Sequence, residues 1–183
     1  ANSLRIAPNN PVLRIENQML LAGDTVICAA RDVRDVTVPE GITTIGRGAF
    51  YSAQVERVTL PEGLTNIQKE AFNGCFALRS VSLPESLQSI GDSAFDWCRS
   101  LTEITLPASL EIIPEGCFDR VPAEIDFPNG NPRYSCENGF LINNTTQTLL
   151  YTAPSSHGIA LPAVRRLGDW SLSNYYLWYD DYD

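Results

Sequence analysis

Gly91-Asp92-Ser93 is a place in this 183-residue chain where residue types and spacing suggest chemistry. A serine on a tight turn behind glycine and aspartate would serve as an acyl-transfer nucleophile if a general base lay within hydrogen-bond reach. The only histidine, His157, lies 64 residues further on, in the loop-like stretch "APSSHGIALP". Five cysteines (Cys28, Cys75, Cys98, Cys117, Cys136) offer thiolate or metal chemistry. They are odd in number, however, and lack the CxxC or His-rich spacing of a zinc site, so they read as small buried hydrophobes. The closing "DDYD" brings carboxylates together without the glycine turn and ligand spacing of an EF-hand, and so makes no metal site. Nothing calls for a cofactor.

Those residues must be positioned by a framework, and the framework is a repeat. "VTVPEGITTIGRGAFYSAQV" from Val36 aligns with "VTLPEGLTNIQKEAFNGCFAL" from Val58, "VSLPESLQSIGDSAFDWCRSL" from Val81 and "ITLPASLEIIPEGCFDRV" from Ile104. Phe recurs at 50, 72, 95 and 118 and Ile at 45, 67, 90 and 113, with the same steps of 22, 23 and 23. A period near 23 falls in the leucine-rich repeat range, where each unit is one coil of a solenoid and buries its apolar face only against neighbours. The expected fold is a right-handed, β-rich leucine-rich-repeat superhelix with short parallel strands, short helical or 3₁₀ turns and two inserted hairpins.

Within a coil, Leu78, Val81 and Leu83, and again Leu101, Ile104 and Leu106, follow the L-x-x-L-x-L spacing of the strand that stacks into a parallel sheet. The proline after each strand (Pro39, Pro61, Pro84, Pro107) has no N–H and ends the ladder. The segment x-x-A-F-x-x-C reads as a turn of 3₁₀ or α-helix dropping Phe and Cys inward. In this alignment Ser93 shares a column with Gly48 and Glu70, which marks a solvated turn and argues against a nucleophile.

The motif L-P-x-x-L-x-x-I-x-x-x-A-F-x-x-C-x-x-L, intact from Leu60 to Leu78 and from Leu83 to Leu101, resembles the BspA-like leucine-rich repeat of bacterial cell-surface proteins. The match is specific over about residues 36–121 and looser elsewhere. Ala53 and Val121 stand in the place of the last inward Cys, and Cys117 in the place of the Ala, so the Cys column is a packing choice. The resemblance implies a non-enzymatic, extracellular or cell-surface adhesion module whose partner, a host or matrix protein or a glycan, is not specified. Two overlapping N-x-T sequons in "NNTT" at 143–146 would be glycan acceptors in a secreted eukaryotic protein. In a bacterial one they read as a polar hairpin turn, which is the expectation here.

Composition agrees with that class. A 44% hydrophobic chain can bury a core. The net charge of -9, with 13 Lys and Arg scattered singly, disfavours nucleic acid. No apolar run reaches the roughly 20 residues of a membrane span, and the start "ANSLRIAPNN" has neither a charged n-region nor an apolar h-region. An export signal trimmed before Ala1 stays compatible with this start.

The flanks repeat each other. "IENQMLLAGDTVICAARDVRDVTVP" from Ile15 matches "CENGFLINNTTQTLLYTAPSSHGIALP" from Cys136, placing Met19-Leu20-Leu21 on Phe140-Leu141-Ile142 and Val26-Ile27 on Leu149-Leu150. Each reads as a hairpin. "LPAVRRLGDWSLS" then continues the pattern in degraded form, with Val164, Leu167, Gly168 and Leu172 in the places of Ile42, Ile45, Gly46 and Phe50. The expected organisation is one solenoid: an N-terminal hairpin cap over 1–35, regular coils over 36–128, a second hairpin over 129–160, and a degenerate last coil with an aromatic tail over 161–183.

A solenoid offers a concave strand face. Its outward positions are Asp35 and Thr37, Arg57 and Thr59, Ser80 and Ser82, Glu103 and Thr105, then Glu124 and Asp126. This strip of hydroxyls beside mixed charge could hydrogen-bond a glycan or an extended peptide, although Thr is also simply a good former of exposed strands. The acidic tail carries Trp170, Tyr175, Tyr176, Trp178, Tyr179 and Tyr182, which suit capping of the last coil, self-association or stacking on sugars. The competing reading of the whole chain is a passive spacer within a larger surface protein.

Overall fold

The computed structural model describes residues 5–7, 10–169 and 171–172. Trp170, Tyr175, Tyr176, Trp178, Tyr179 and the closing acidic run lie outside the described residues. The strands are β1 (Leu13–Glu16), β2 (Met19–Ala22), β3 (Thr25–Ala29), β4 (Asp35–Thr37), β5 (Thr44–Ile45), β6 (Arg57–Thr59), β7 (Asn66–Ile67) and β8 (Ser80–Ser82). They continue as β9 (Ser89–Ile90), β10 (Glu103–Thr105), β11 (Glu124–Asp126), β12 (Tyr134–Glu137), β13 (Phe140–Asn143), β14 (Thr148–Thr152) and β15 (Arg166–Leu167).

Two faces of short parallel strands run along the coils, as the shared period requires. On one side β4, β6 and β8 pair in parallel, with Val36, Val58 and Val81 in register, and β10 pairs with β11. On the other side β3, β5, β7 and β9 continue in parallel through Val26, Ile45, Ile67 and Ile90. Between the sheets the Phe column forms a ladder: Phe50, Phe72, Phe95 and Phe118 stack at 4.9, 5.3 and 5.8 Å with their ring planes nearly parallel. Tyr151 closes it edge-on at 5.9 Å. Cys75 and Cys98 donate from their thiols to the carbonyls of Phe50 and Phe72 (3.0 and 3.2 Å).

The A-F-x-x-C segment departs from the helical turn expected of it. Among the described residues the helical element is a 3₁₀ turn, η1, at Pro154–Ser156. The reason lies in the amides. Gly48, Phe50 and Ser52 donate to the carbonyls of Lys69, Ala71 and Asn73 in the next coil, while Ala49, Tyr51 and Ala53 donate within their own turn. A helix would claim every amide for itself; here alternate ones tie coil to coil. The geometry needs left-handed residues four apart, and the pairs Gly48/Ser52, Glu70/Gly74, Ser93/Trp97 and Gly116/Arg120 all have positive φ.

Each flank is a three-stranded antiparallel meander, one strand more than a hairpin. Asn17-Gln18 and Asn138-Gly139 make two-residue turns with positive φ at both positions, as a type I′ turn demands. The register shifts fall at matching places, between Leu20 and Leu21 and between Leu141 and Ile142. The last coil docks as the first does: Leu149 pairs with Leu167 as Val26 pairs with Ile45, and the Gly168 and Gly46 amides each donate over 2.8 Å to the partner strand. "NNTT" begins on the last residue of β13 and continues into the turn after it, where Asn143 Oδ1 accepts from the amides of Thr145 and Thr146.

Candidate functional site

Every strand of the parallel face buries its middle residue and exposes its two neighbours. The ten outward residues expected from the repeat therefore share one surface. Asp35, Arg57 and Ser80 stand in one row and Thr37, Thr59 and Ser82 in the next; Glu103 with Glu124, and Thr105 with Asp126, continue them.

The ladder of this face breaks once. β8 and β10 belong to separate hydrogen-bonded sheets. Leu83, at the end of β8, is half-buried, although Val38, Leu60 and Leu106 in its column are buried. A hollow of about 440 Å³ opens there, lined by Arg57, Val58, Thr59, Ser80, Val81, Ser82, Leu83, Glu103 and Thr105. Six of those nine belong to the outward set, so the hollow is polar at its rim and apolar at its floor.

The outward residues differ in how far their neighbours occupy them. Arg57 reaches Asp35 over 3.5 Å with both side chains about 70% exposed, which leaves the guanidinium free to exchange partners. Glu124 is committed, accepting from the amide and hydroxyl of Ser155 (3.1 and 2.6 Å). Asp126 accepts from the Phe127 amide. The Glu103 side chain, exposed on a strand whose backbone pairs with β11, has no hydrogen bond or ion pair among the described residues. Arg57 and Glu103, of opposite charge, thus flank the serines of β8.

The catalytic candidate takes on other duties. A Cβ on Gly91 would come within 2.3 Å of the Lys69 amide nitrogen, so glycine is needed for coil-to-coil contact. Asp92 pairs with Lys69 at 2.8 Å. Ser93 has φ +51° and shares that left-handed position with Gly48, Glu70 and Gly116. The turn recurs because the coil does, and its residues change from coil to coil. Burial pushes the Cys75 and Cys136 thiols up to about 12 and those of Cys98 and Cys117 upward as well, so they remain protonated donors at neutral pH.

One group of residues escaped the sequence reading. The Trp97 ring has the guanidinium carbons of Arg99 and Arg120 at 4.3 and 4.4 Å from its centroid, and Phe76 meets it edge-on at 6.5 Å. Beneath it, Asp119 pairs with Arg120 (3.3 Å) and Asp96 accepts from Asn73 (3.3 Å). Burial, then the nearby Asp119 charge, pushes the Asp96 carboxyl up to about 6. The signal was faint although the spacing is regular: Phe76 and Arg99 share one column and Trp97 and Arg120 another, each a step of 23 apart, but the residue type changes from coil to coil within both columns.

Comparison with known proteins gives the lineage. A family model for the BspA type leucine rich repeat region matches residues 25–133 in six copies. No curated protein matches the chain. Among solved structures, a leucine-rich repeat protein from Bacteroides capillosus is 25% identical, over 63% of this chain and 99% of that one, with a TM-score of 0.56. One from Eubacterium ventriosum is 20% identical over 90% of this chain and 56% of its own (TM-score 0.59). The pneumococcal vaccine antigen PcpA is 16% identical over 87% and 61% respectively (TM-score 0.52), a likeness of fold alone. With the repeat pattern matched over more than half its length and the coil geometry in place, the chain belongs to the BspA-type leucine-rich repeat family.

Proposed function

We propose that this chain is a non-enzymatic recognition module, secreted or displayed at a cell surface, that binds a host or matrix protein or a glycan through the parallel strand face. The observation that carries the reading is the hollow between β8 and β10, where Arg57 and Glu103 flank a row of serine and threonine hydroxyls over an apolar floor. A site with few polar groups converging above apolar surface suits a ligand held by several directed hydrogen bonds. The location rests on the family, and no helix among the described residues is long and apolar enough to cross a membrane.

The test is binding to immobilised matrix proteins, mucins and neutral glycans beside the double variant Arg57→Glu/Glu103→Lys. Both side chains are exposed, so the variant should fold. Saturable binding weakened at least about tenfold, the scale of one lost charge-assisted contact, is the expected result. Silence across the panel, or binding indifferent to the variant, would replace this reading with that of a passive spacer.

A further inference from the structure

We infer that Phe76, Trp97 and Arg99 form a second binding site, on the loops leading into β8 and β10, for a glycan bearing a carboxylate. In this site Arg99 takes the acid group and Phe76 packs against the apolar face of the sugar ring.

Arg99 is held by rings and not by an acid. Arg34, Arg47, Arg57, Arg120, Arg133 and Arg166 each face a carboxylate. Arg99 is exposed, and its guanidinium faces two rings, Trp97 at 4.3 Å and Phe76 at 5.9 Å, with no carboxylate partner among the described residues. Arg5, Arg31, Arg79 and Arg165 have no ion pair among the described residues either, so what sets Arg99 apart is that two rings hold its guanidinium in place of an acid. Stacking occupies the faces of a guanidinium and leaves its in-plane N–H fork available, in the planar geometry that matches a carboxylate. It also holds the group in place before a ligand arrives, which lowers the ordering cost of binding.

The size of the patch chooses among occupants. Phe76 is 54% exposed, a ring-sized apolar surface beside one charged fork. A stable protein interface needs about 800 Å² on each side, whereas a few side chains on adjacent loops match a single sugar with one acid group. The Asp119 carboxylate below the cluster is only 6% exposed and is paired with Arg120, so it does not compete for Arg99. This site stands independently of the strand-face reading.

The test uses Trp97 as reporter. The chain has three tryptophans, and the double substitution W170F/W178F leaves Trp97 alone. Its fluorescence is titrated with sialyllactose, lactose and sulfated lactose. The expected result is saturable change with sialyllactose and none with lactose. Arg99→Gln should weaken binding about tenfold or more, the scale of one charge-assisted pair, and Phe76→Ala should weaken it less. The Arg57→Glu/Glu103→Lys variant should bind sialyllactose unchanged, which separates this site from the strand face. No response to sialyllactose, binding indifferent to Arg99→Gln, or sulfated lactose binding equally well would each overturn the assignment.

Discussion

The two meanders are built alike and buried differently. β14 is buried along its whole length, whereas in β3 only Val26 is. Ile27 is 41% exposed, but Leu150, in the matching place, is 7% exposed. Cys28 is half-buried where Tyr151 is sealed, packed on Phe118 with its hydroxyl donating toward the Val121 and Ala123 carbonyls (2.7 and 2.6 Å). The second meander has the coil of Phe118 against one side and the last coil docked on its β14 edge. The difference teaches that the sequence pattern sets which residues pair, while the neighbouring coil sets how much is buried.

The largest test of that lesson is truncation at equivalent places. Tyr151→Ala should cost about 3 to 5 kcal/mol in chemical denaturation, as large core truncations do, because it removes both the end of the ring ladder and a buried hydroxyl donor. Cys28→Ala should cost less than about 1 kcal/mol, since a half-buried small side chain loses little contact. Equal costs would mean that burial in the second meander carries no extra stability, and the contrast between the two flanks would collapse.

The repeat made much of this legible in advance. The Phe and Ile columns predicted the core, and strand alternation placed Asp35 through Asp126 on one face. The two flanks announced their kinship through Met19-Leu20-Leu21 and Phe140-Leu141-Ile142. The turn at A-F-x-x-C was misread as helical because local propensity says nothing of which amide the next coil will claim. Glu70, Trp97 and Arg120 are not residues one would choose for positive φ, yet stacking holds them there. The opening between β8 and β10 was equally hidden, since Ser80 and Glu103 occupy the same column as their neighbours and only the three-dimensional ladder shows where it parts. The cluster around Trp97 escaped for a related reason: aromatic and cation meet across coils one repeat apart, Phe76 with Arg99 and Trp97 with Arg120, in columns whose residue type is not kept from coil to coil.

A smaller test probes how each meander receives its coil. A Cβ on Gly46 would lie 2.5 Å from the Val26 carbonyl oxygen, and one on Gly168 would lie 2.8 Å from that of Leu149. Both distances force backbone to move, so both alanine variants should destabilise. Gly46→Ala should cost about 1 to 3 kcal/mol, the range for overpacking a fixed core, because coils stack beyond it. Gly168→Ala should cost less, because Leu167 beside it is 48% exposed and that edge has more room to shift. The reverse order, read from denaturation midpoints at constant slope, would show the second docking to be the stiffer.

The finest distinction is in acid. In the turn before β3, Asp24 accepts hydroxyl hydrogen bonds from Thr43 (2.7 Å) and Thr25 (3.2 Å), and these hold its carboxyl below the usual range. Gln147 occupies the matching place before β14: its carbonyl accepts from the Arg165 amide as that of Asp24 accepts from Thr43, but its side chain does not ionise. A depressed carboxyl contributes stability that is present above its ordinary value, near 3.8, and lost as pH falls through the lowered folded value. Acid should therefore loosen the first docking through a group that the second lacks. Hydrogen-exchange protection of the Gly46 amide, which donates to Val26, should fall below about pH 4 in the native chain and fall less in Asp24→Asn. The Gly168 amide should respond identically in both proteins, since Glu115, which pairs with Arg166 at that end, is common to them. A Gly46 amide equally sensitive to acid in Asp24→Asn would remove the turn carboxylate from the account and leave backbone pairing as the whole of the joint.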